Sequence, residues 1–243
     1  MEPYHYSLPL APILYAQGKY VRKVTLRLPE AAGDRCGRVG TGPALRLLVL
    51  GDSAAAGVGV NQQEQALAGR LAAQLSEYYD VTWRLHAKTG NTTTDNIATL
   101  QELTGASYDL VVVSTGVNDV TTGVSVKQWC RQLRDLHQRL QQDFNSKLVI
   151  YSGVPPMGKF PALPYPLRFF MGKRATMFDH YLQQTVAGLS GAAYVALNHD
   201  AAPLDETAIA HDGFHPGAPA YQYWAEQISC RLQQPYWLTG SHR

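Results

Sequence analysis

At 243 residues the chain is long enough for one sizeable α/β domain and does not require a second. Its 21 Lys and Arg against 19 Asp and Glu leave a formal net charge of +2 without a like-charge block. That balance argues against nucleic-acid binding and against an acidic tail. Cys36, Cys130 and Cys230 are too far apart for a CxxC pair or a disulfide framework. Cys130 and Cys230 fall on amphipathic helical patterns, so they are expected as buried free thiols in a reducing compartment.

The N-terminus lacks the layout of a secretory signal, which makes the cytoplasm the default expectation. The apolar stretch from Leu8 to Ala16 is short, is broken by Pro9 and Pro12, and cannot span a bilayer. Lys19, Arg22, Lys23 and Arg27 follow it. Such a segment can make weak contact with an anionic membrane surface, or it can pack over the domain and leave its charges in water. Residues 1–43 as a whole, rich in Pro, Gly and Arg, read as an extended lead-in segment packed on or flanking a single domain.

From Leu45 the pattern alternates strand and helix. Leu45 to Leu50 is an almost unbroken aliphatic run that stops at Gly51-Asp52-Ser53, as a strand buried on both faces of a parallel sheet would. Leu67, Leu71 and Leu75 mark a first helix, and Val81 to His86 a second strand. Thr92 with Asp95 resembles a capping box, and the helix it opens carries Ile97, Leu100 and Leu103. Asp109 to Ser114 is the clearest strand. The stripe Trp129, Leu133, Leu136, Leu140 and Phe144 then traces a long helix, and Leu148 to Tyr151 is the fourth strand. Residues 154–172 interrupt the rhythm with prolines and aromatics. A helix through Phe178, Leu182 and Val186, a fifth strand from Ala193 to Leu197 and a closing helix through Tyr221, Trp224 and Ile228 complete the chain. Five strands alternating with helices predict a five-stranded parallel sheet in a three-layer α/β/α sandwich.

The polar clusters fall at matching places. Ser53 follows strand one, Gly90-Asn91 strand two, Asn118-Asp119 strand three, and Asp212 with His215 lies beyond strand five. In a doubly wound sheet these loops emerge at the carboxyl edge, where ligands bind. Each cluster alone is an ordinary turn.

Together, Gly51-Asp52-Ser53, Gly90, Gly116-Val117-Asn118-Asp119 and Asp212-Gly213-Phe214-His215 resemble, in order and spacing, the four blocks of the SGNH hydrolases, the serine esterases also called GDSL. The resemblance covers roughly residues 45–233. It departs at Ala54, where the GDSL name would place leucine. It implies a flavodoxin-like fold of SGNH hydrolase type, with no cofactor and no metal. The roles it implies are Ser53 as nucleophile, His215 as general base and Asp212 as its orienting acid. The N–H groups of Ser53 and Gly90 and the amide of Asn118 would form the oxyanion hole.

The residues agree with that assignment. A serine hydroxyl needs a base to take its proton, and an Asp three residues before a His can fix the tautomer that leaves Nε2 free. Asp52 and Asp119 are expected to hold loop backbone rather than do chemistry. His86, His137, His180 and His199 carry no partner pattern. Gly57-Val58-Gly59 lacks the third glycine of a dinucleotide loop. His211 and His215 mimic a zinc-helix pair, but Gly213 and Pro216 argue against a helix there.

The substrate expected is a small carboxylic ester of short to medium acyl chain, with Pro156, Met157, Phe160, Leu167 and Phe170 of the insertion as its apolar wall. Packing of the insertion on the core is the competing reading of those residues. Carbohydrate acetylesterase, thioesterase or lysophospholipase activity, or a non-catalytic binding role on the same fold, are the alternatives.

Overall fold

Leu47 to Leu50 are wholly shielded from solvent, and the strand that carries them, β2 (Ala44–Gly51), sits inside a six-stranded sheet. The structure, a computed structural model, describes residues 9–197 and 208–232. The sheet runs β1 (Cys36–Val39), β3 (Asp80–Ala87), β2, β4 (Leu110–Ser114), β5 (Leu148–Ser152), β6 (Ala192–Val195). All neighbours are parallel except β1, which pairs antiparallel with β3.

The central strands are covered on both sides, and alternate residues sort to opposite faces. Leu48, Leu50, Val111, Val113, Val149 and Tyr151 pack against α5 (Val126–Phe144) and α6 (Leu167–Ala187). Leu47, Val49, Val112 and Ile150 pack against α2 (Leu67–Leu75) and α7 (Ala218–Leu232). Each such aliphatic side chain contributes about 1.5–3 kcal/mol relative to exposure, so the sheet centre is the most heavily anchored part of the molecule. α3 (Thr93–Thr99) opens with the Thr92–Asp95 capping box complete in both directions. The short α4 (Val117–Thr122) follows β4 directly.

Four expectations need correction. A purely parallel, five-stranded flavodoxin-like sheet is overturned by β1, which makes the sheet six-stranded and mixed. β1 is four residues of largely exposed Cys-Gly-Arg-Val, too short and polar to leave a period-two signal; it is held by its ladder to β3 and by the Arg38–Asp80 ion pair.

Residues 1–43 are not simply an extended lead-in, because α1 (Ala11–Val24) precedes β1. Pro12 falls in the first turn, where a missing N–H costs nothing. α1 buries no residue completely. Leu14 and Val21 lean on the core, and Gln17 donates to the Tyr165 carbonyl (2.9 Å) and accepts from Leu167 N–H (3.1 Å).

α6 begins at Leu167, so the interruption ends at 166 and its last aromatics are helical. Cys130 is buried, but Cys230 is exposed on α7, as is Cys36 on β1. His199 lies outside the described residues.

Candidate active site

Ser53 stands in the turn just past β2, at the carboxyl edge of the sheet. Gly51, the last residue of β2, pairs with Ser114 of β4. A Cβ there would lie 2.3 Å from the Ser114 carbonyl oxygen. The turn is closed by Val58 N–H donating to Ser53 O (3.0 Å). It is pinned from behind by the buried Tyr221 of α7, whose hydroxyl is shared between the carbonyls of Ala54 and Val58 at 2.8 Å each.

The second half of the site is the loop before α7. Asp212 Oδ1 accepts the N–H groups of Phe214 (2.9 Å) and His215 (3.0 Å), which winds the chain back over the carboxylate. Asp212 Oδ2 lies 2.5 Å from His215 Nδ1, and His215 Nε2 lies 2.8 Å from Ser53 Oγ. Side chains 162 positions apart therefore meet in one hydrogen-bonded line. Gly59 permits the approach, since with φ +107° a Cβ there would lie 2.2 Å from the Pro216 carbonyl oxygen.

Burial works to raise the Asp212 carboxyl, but the hydrogen bonds from the His215 ring and from the His215 and Phe214 backbone outweigh it. The group lies below its ordinary value. Asp52 is the opposite case. Full burial pushes its carboxyl up to about 7, against the opposing pull of the Ala54 N–H and of His215.

The other two blocks meet beside this line. Gly90 has φ +90°, and a Cβ on it would meet no atom within 4 Å, so its backbone conformation rather than crowding calls for glycine. Asn118, the second residue of α4, donates through Nδ2 to the Asn91 carbonyl at 2.9 Å, next along the chain from Gly90. Among the described residues neither Ser53 N–H nor Gly90 N–H has a hydrogen-bond partner.

A buried polar network ties the two loops together. Asp119 accepts from Thr93 N–H (3.1 Å) and from Thr93 Oγ1 (3.0 Å). Thr93 Oγ1 also accepts from the Trp129 indole (2.9 Å) and lies 3.0 Å from Thr115 Oγ1. With its one proton given to Asp119, Thr93 takes the Thr115 proton, and its hydroxyl is fully used. Burial raises the Asp119 carboxyl despite the Thr93 donors.

A cavity of about 420 Å³ opens at Ser53 and His215. Its walls are mostly apolar and include Pro155, Pro156, Phe160, Ile209, Phe214 and Trp224, with Lys159 as a basic residue among them. Of the five residues expected as substrate wall, Pro156 and Phe160 line this cavity. Met157 is fully buried in the core, Leu167 is buried at the start of α6, and Phe170 stacks edge-on against Phe169. Asp212, Gly90 and Asn118 lie outside the cavity lining, Asp212 beneath His215 with no exposed side-chain surface.

The sequence assigns Thr93, Trp129, Tyr221 and Gly59 no part in the site. Trp129 and Tyr221 stand out in the sequence only as apolar positions of helices, and Gly59 only within Gly57-Val58-Gly59, whose glycines serve a tight turn.

The GDSL-like lipase/acylhydrolase family profile matches residues 49–223. A GDSL-like esterase of Mycobacterium tuberculosis is 27% identical over 197 residues; the match takes in 78% of this chain and 62% of that protein's length. Among solved structures, a lipase from a goat rumen metagenome aligns with TM-score 0.62 at 16% identity, covering 76% of this chain and 96% of that one. A psychrotrophic esterase of a Pseudoalteromonas species gives 0.61 at 20% identity over 80% and 99%. An acetylxylan esterase of Geobacillus stearothermophilus gives 0.58 at 18% over 82% and 99%. At such identities the solved structures speak for the fold.

Proposed function

Because the chain belongs to the GDSL-like lipase/acylhydrolase family, a family of carboxylic ester hydrolases, we propose that it is a serine esterase in which Ser53, His215 and Asp212 act as a catalytic triad. The observation that carries this is the unbroken line from Ser53 Oγ to His215 Nε2 (2.8 Å) and from His215 Nδ1 to Asp212 Oδ2 (2.5 Å).

In the proposed cycle Ser53 Oγ attacks the ester carbonyl carbon as its proton passes to His215 Nε2. Asp212 holds the ring in the tautomer with Nδ1 protonated and stabilises the imidazolium that forms. The oxyanion is received by the N–H groups of Ser53 and Gly90 and by the Asn118 amide. Among the described residues the two backbone donors have no other partner, which supports that assignment. His215 then gives its proton to the departing alcohol, leaving an acyl-Ser53 ester. A water deprotonated by His215 attacks that ester, and collapse of the second tetrahedral intermediate releases the acid and restores the hydroxyl.

The cavity volume of about 420 Å³ falls in the range of about 300–1,000 Å³ typical of small-molecule sites. Its apolar walls favour an acyl chain of short to medium length over a sugar. Carbohydrate deacetylation, suggested by the Geobacillus enzyme's name, is the less favoured reading for that reason. A p-nitrophenyl ester series from acetate to palmitate tests the proposal. Turnover should peak at butyrate to octanoate and vanish in Ser53→Ala. A preference for acetylated xylo-oligosaccharides over every simple ester would overturn the substrate class.

A further inference from the structure

Two segments that pack together carry no acidic residue at all. There is none between position 9 and Glu30, and none between Asp143 and Asp179. Over the same stretches lie Lys19, Arg22, Lys23 and Arg27 on and after α1, and Lys159, Arg168, Lys173 and Arg174 around the start of α6. Gln17 joins the two helices through Tyr165 and Leu167. Among the described residues, the four cations of the first segment have no ion pair.

The apolar side chains of this region are divided. Leu14 and Val21 face the core. Ile13 (50% exposed), Tyr20 (61%) and Val24 (54%) recur at helical spacing on another face, turned to solvent. Tyr165 (74%) and Phe169 (45%) add exposed rings at the entry to α6. Lys19 sits 4.8 Å over the Tyr15 ring and Lys173 5.8 Å over the Phe169 ring, so cations and aromatics are interleaved. An isolated exposed leucine needs no explanation, but an apolar stripe on segments whose charged residues are all cations does.

We propose that α1 and the first turns of α6 form a docking surface for an anionic lipid bilayer, on which the protein rests without crossing it. The observed pattern matches what an interfacial helix requires. Aliphatic side chains enter the headgroup boundary, tyrosines sit at its polar level, and Lys and Arg meet anionic headgroups. A nucleic-acid surface would use the cations but leave Ile13 and Val24 in water. Among the described residues no helix is long and apolar enough to cross a membrane.

The surface is continuous with the wall of the cavity. Arg168 donates to the carbonyls of Leu163 (2.6 Å) and Pro161 (2.9 Å), and Pro161 and Phe160 line the cavity itself. Docking would thus bring the cavity's rim near the lipid. The inference does not require catalysis and stands apart from the esterase reading.

Co-sedimentation of the full chain with phosphatidylglycerol/phosphatidylcholine vesicles, and with phosphatidylcholine alone, tests it. The protein should pellet with the anionic vesicles, stay in solution with the neutral ones, and be released by high salt. Lys19→Glu/Lys23→Glu and Ile13→Ser/Val24→Ser should each lower partitioning at least about tenfold. Both should keep the wild-type circular dichroism spectrum and wild-type turnover of a soluble ester. No binding to anionic vesicles, equal binding to neutral ones, or binding untouched by both double variants would overturn the proposal. So would a dimer in sedimentation velocity that Ile13→Ser/Val24→Ser dissolves without any vesicle binding, because the face would then belong to a second copy of the chain.

Discussion

Thr93→Val replaces a hydroxyl by a methyl of nearly the same size at a fully buried position, so the change removes hydrogen bonds and little else. Three partners lose that oxygen: the Trp129 indole, Asp119 Oδ2 and Thr115 Oγ1. Asp119 retains the Thr93 N–H, and Thr115 retains a long contact (3.5 Å) from Asn96 Nδ2. The indole N–H of Trp129, itself fully buried, is left with nothing. An orphaned buried donor costs about 1–3 kcal/mol and a lost hydrogen bond to a charged carboxylate about 1.5–3 kcal/mol. The variant should therefore lose about 2.5–6 kcal/mol in urea denaturation, with the midpoint shifted and the m-value unchanged. The same bonds hold the loop after Gly90 against the residue after Asn118. Turnover should then fall about tenfold with little change in KM, short of the roughly 100-fold or greater loss from deleting an oxyanion donor outright. Thr93→Ser keeps the hydroxyl and should stay within about 1 kcal/mol of wild type, losing only a methyl group. A Thr93→Val protein as stable and as fast as the parent would refute the idea that this network sets the geometry of the two loops.

Asp52→Asn tests the buried carboxyl beside Ser53. Its folded-state pKa of about 7 lies above the ordinary 3.8. The folded state therefore holds the extra proton between those values, and the stabilising contribution, complete at low pH, is lost as pH rises through about 7. Relative to wild type, Asp52→Asn should gain about 3 kcal/mol between pH 5 and pH 8 in paired denaturation curves; a difference flat in pH would contradict the assignment. Gly59→Ala should separate the Ser53 turn from the Pro216 loop and lower both stability and kcat/KM. Gly105→Ala (φ +84°), where a Cβ meets nothing within 4 Å, should cost only the backbone strain of about 1–3 kcal/mol and leave kinetics alone. Asp212→Asn should cut kcat by about 10³–10⁴ with KM nearly unchanged, because the amide cannot hold the same imidazole tautomer. Unimpaired turnover in that variant would remove Asp212 from the mechanism.

Periodicity served where an element buries a long stripe. α5 runs from Val126 to Phe144, the span its apolar residues trace, and β2 and β4 stand where aliphatic runs meet turn residues. It failed for β1, whose pairing with β3 is supplied by backbone rather than by side-chain burial. It failed also for α1, which rests on two leaning side chains and a glutamine. In the site, residues at the ends of strands were legible because topology alone brings such loops to one edge. The cavity wall was legible at two of the five expected residues. Apolar character left the cavity wall and the core as competing places for the side chains of this stretch, and did not tell that Met157 and Leu167 turn into the core while Pro156 and Phe160 face the cavity. Tyr221 and Thr93 were invisible because the groups they hold lie 163 and 36 positions away, a relation with no local pattern.

Esterase chemistry at this site requires the Ser53 hydroxyl to be a nucleophile activated by His215. Incubation with a fluorophosphonate, digestion and mass mapping of the adduct measures this directly. One adduct is expected, on Ser53, forming far more slowly in His215→Ala and absent in Ser53→Ala. An adduct on another residue, or ester hydrolysis persisting in Ser53→Ala at the wild-type rate, would contradict it.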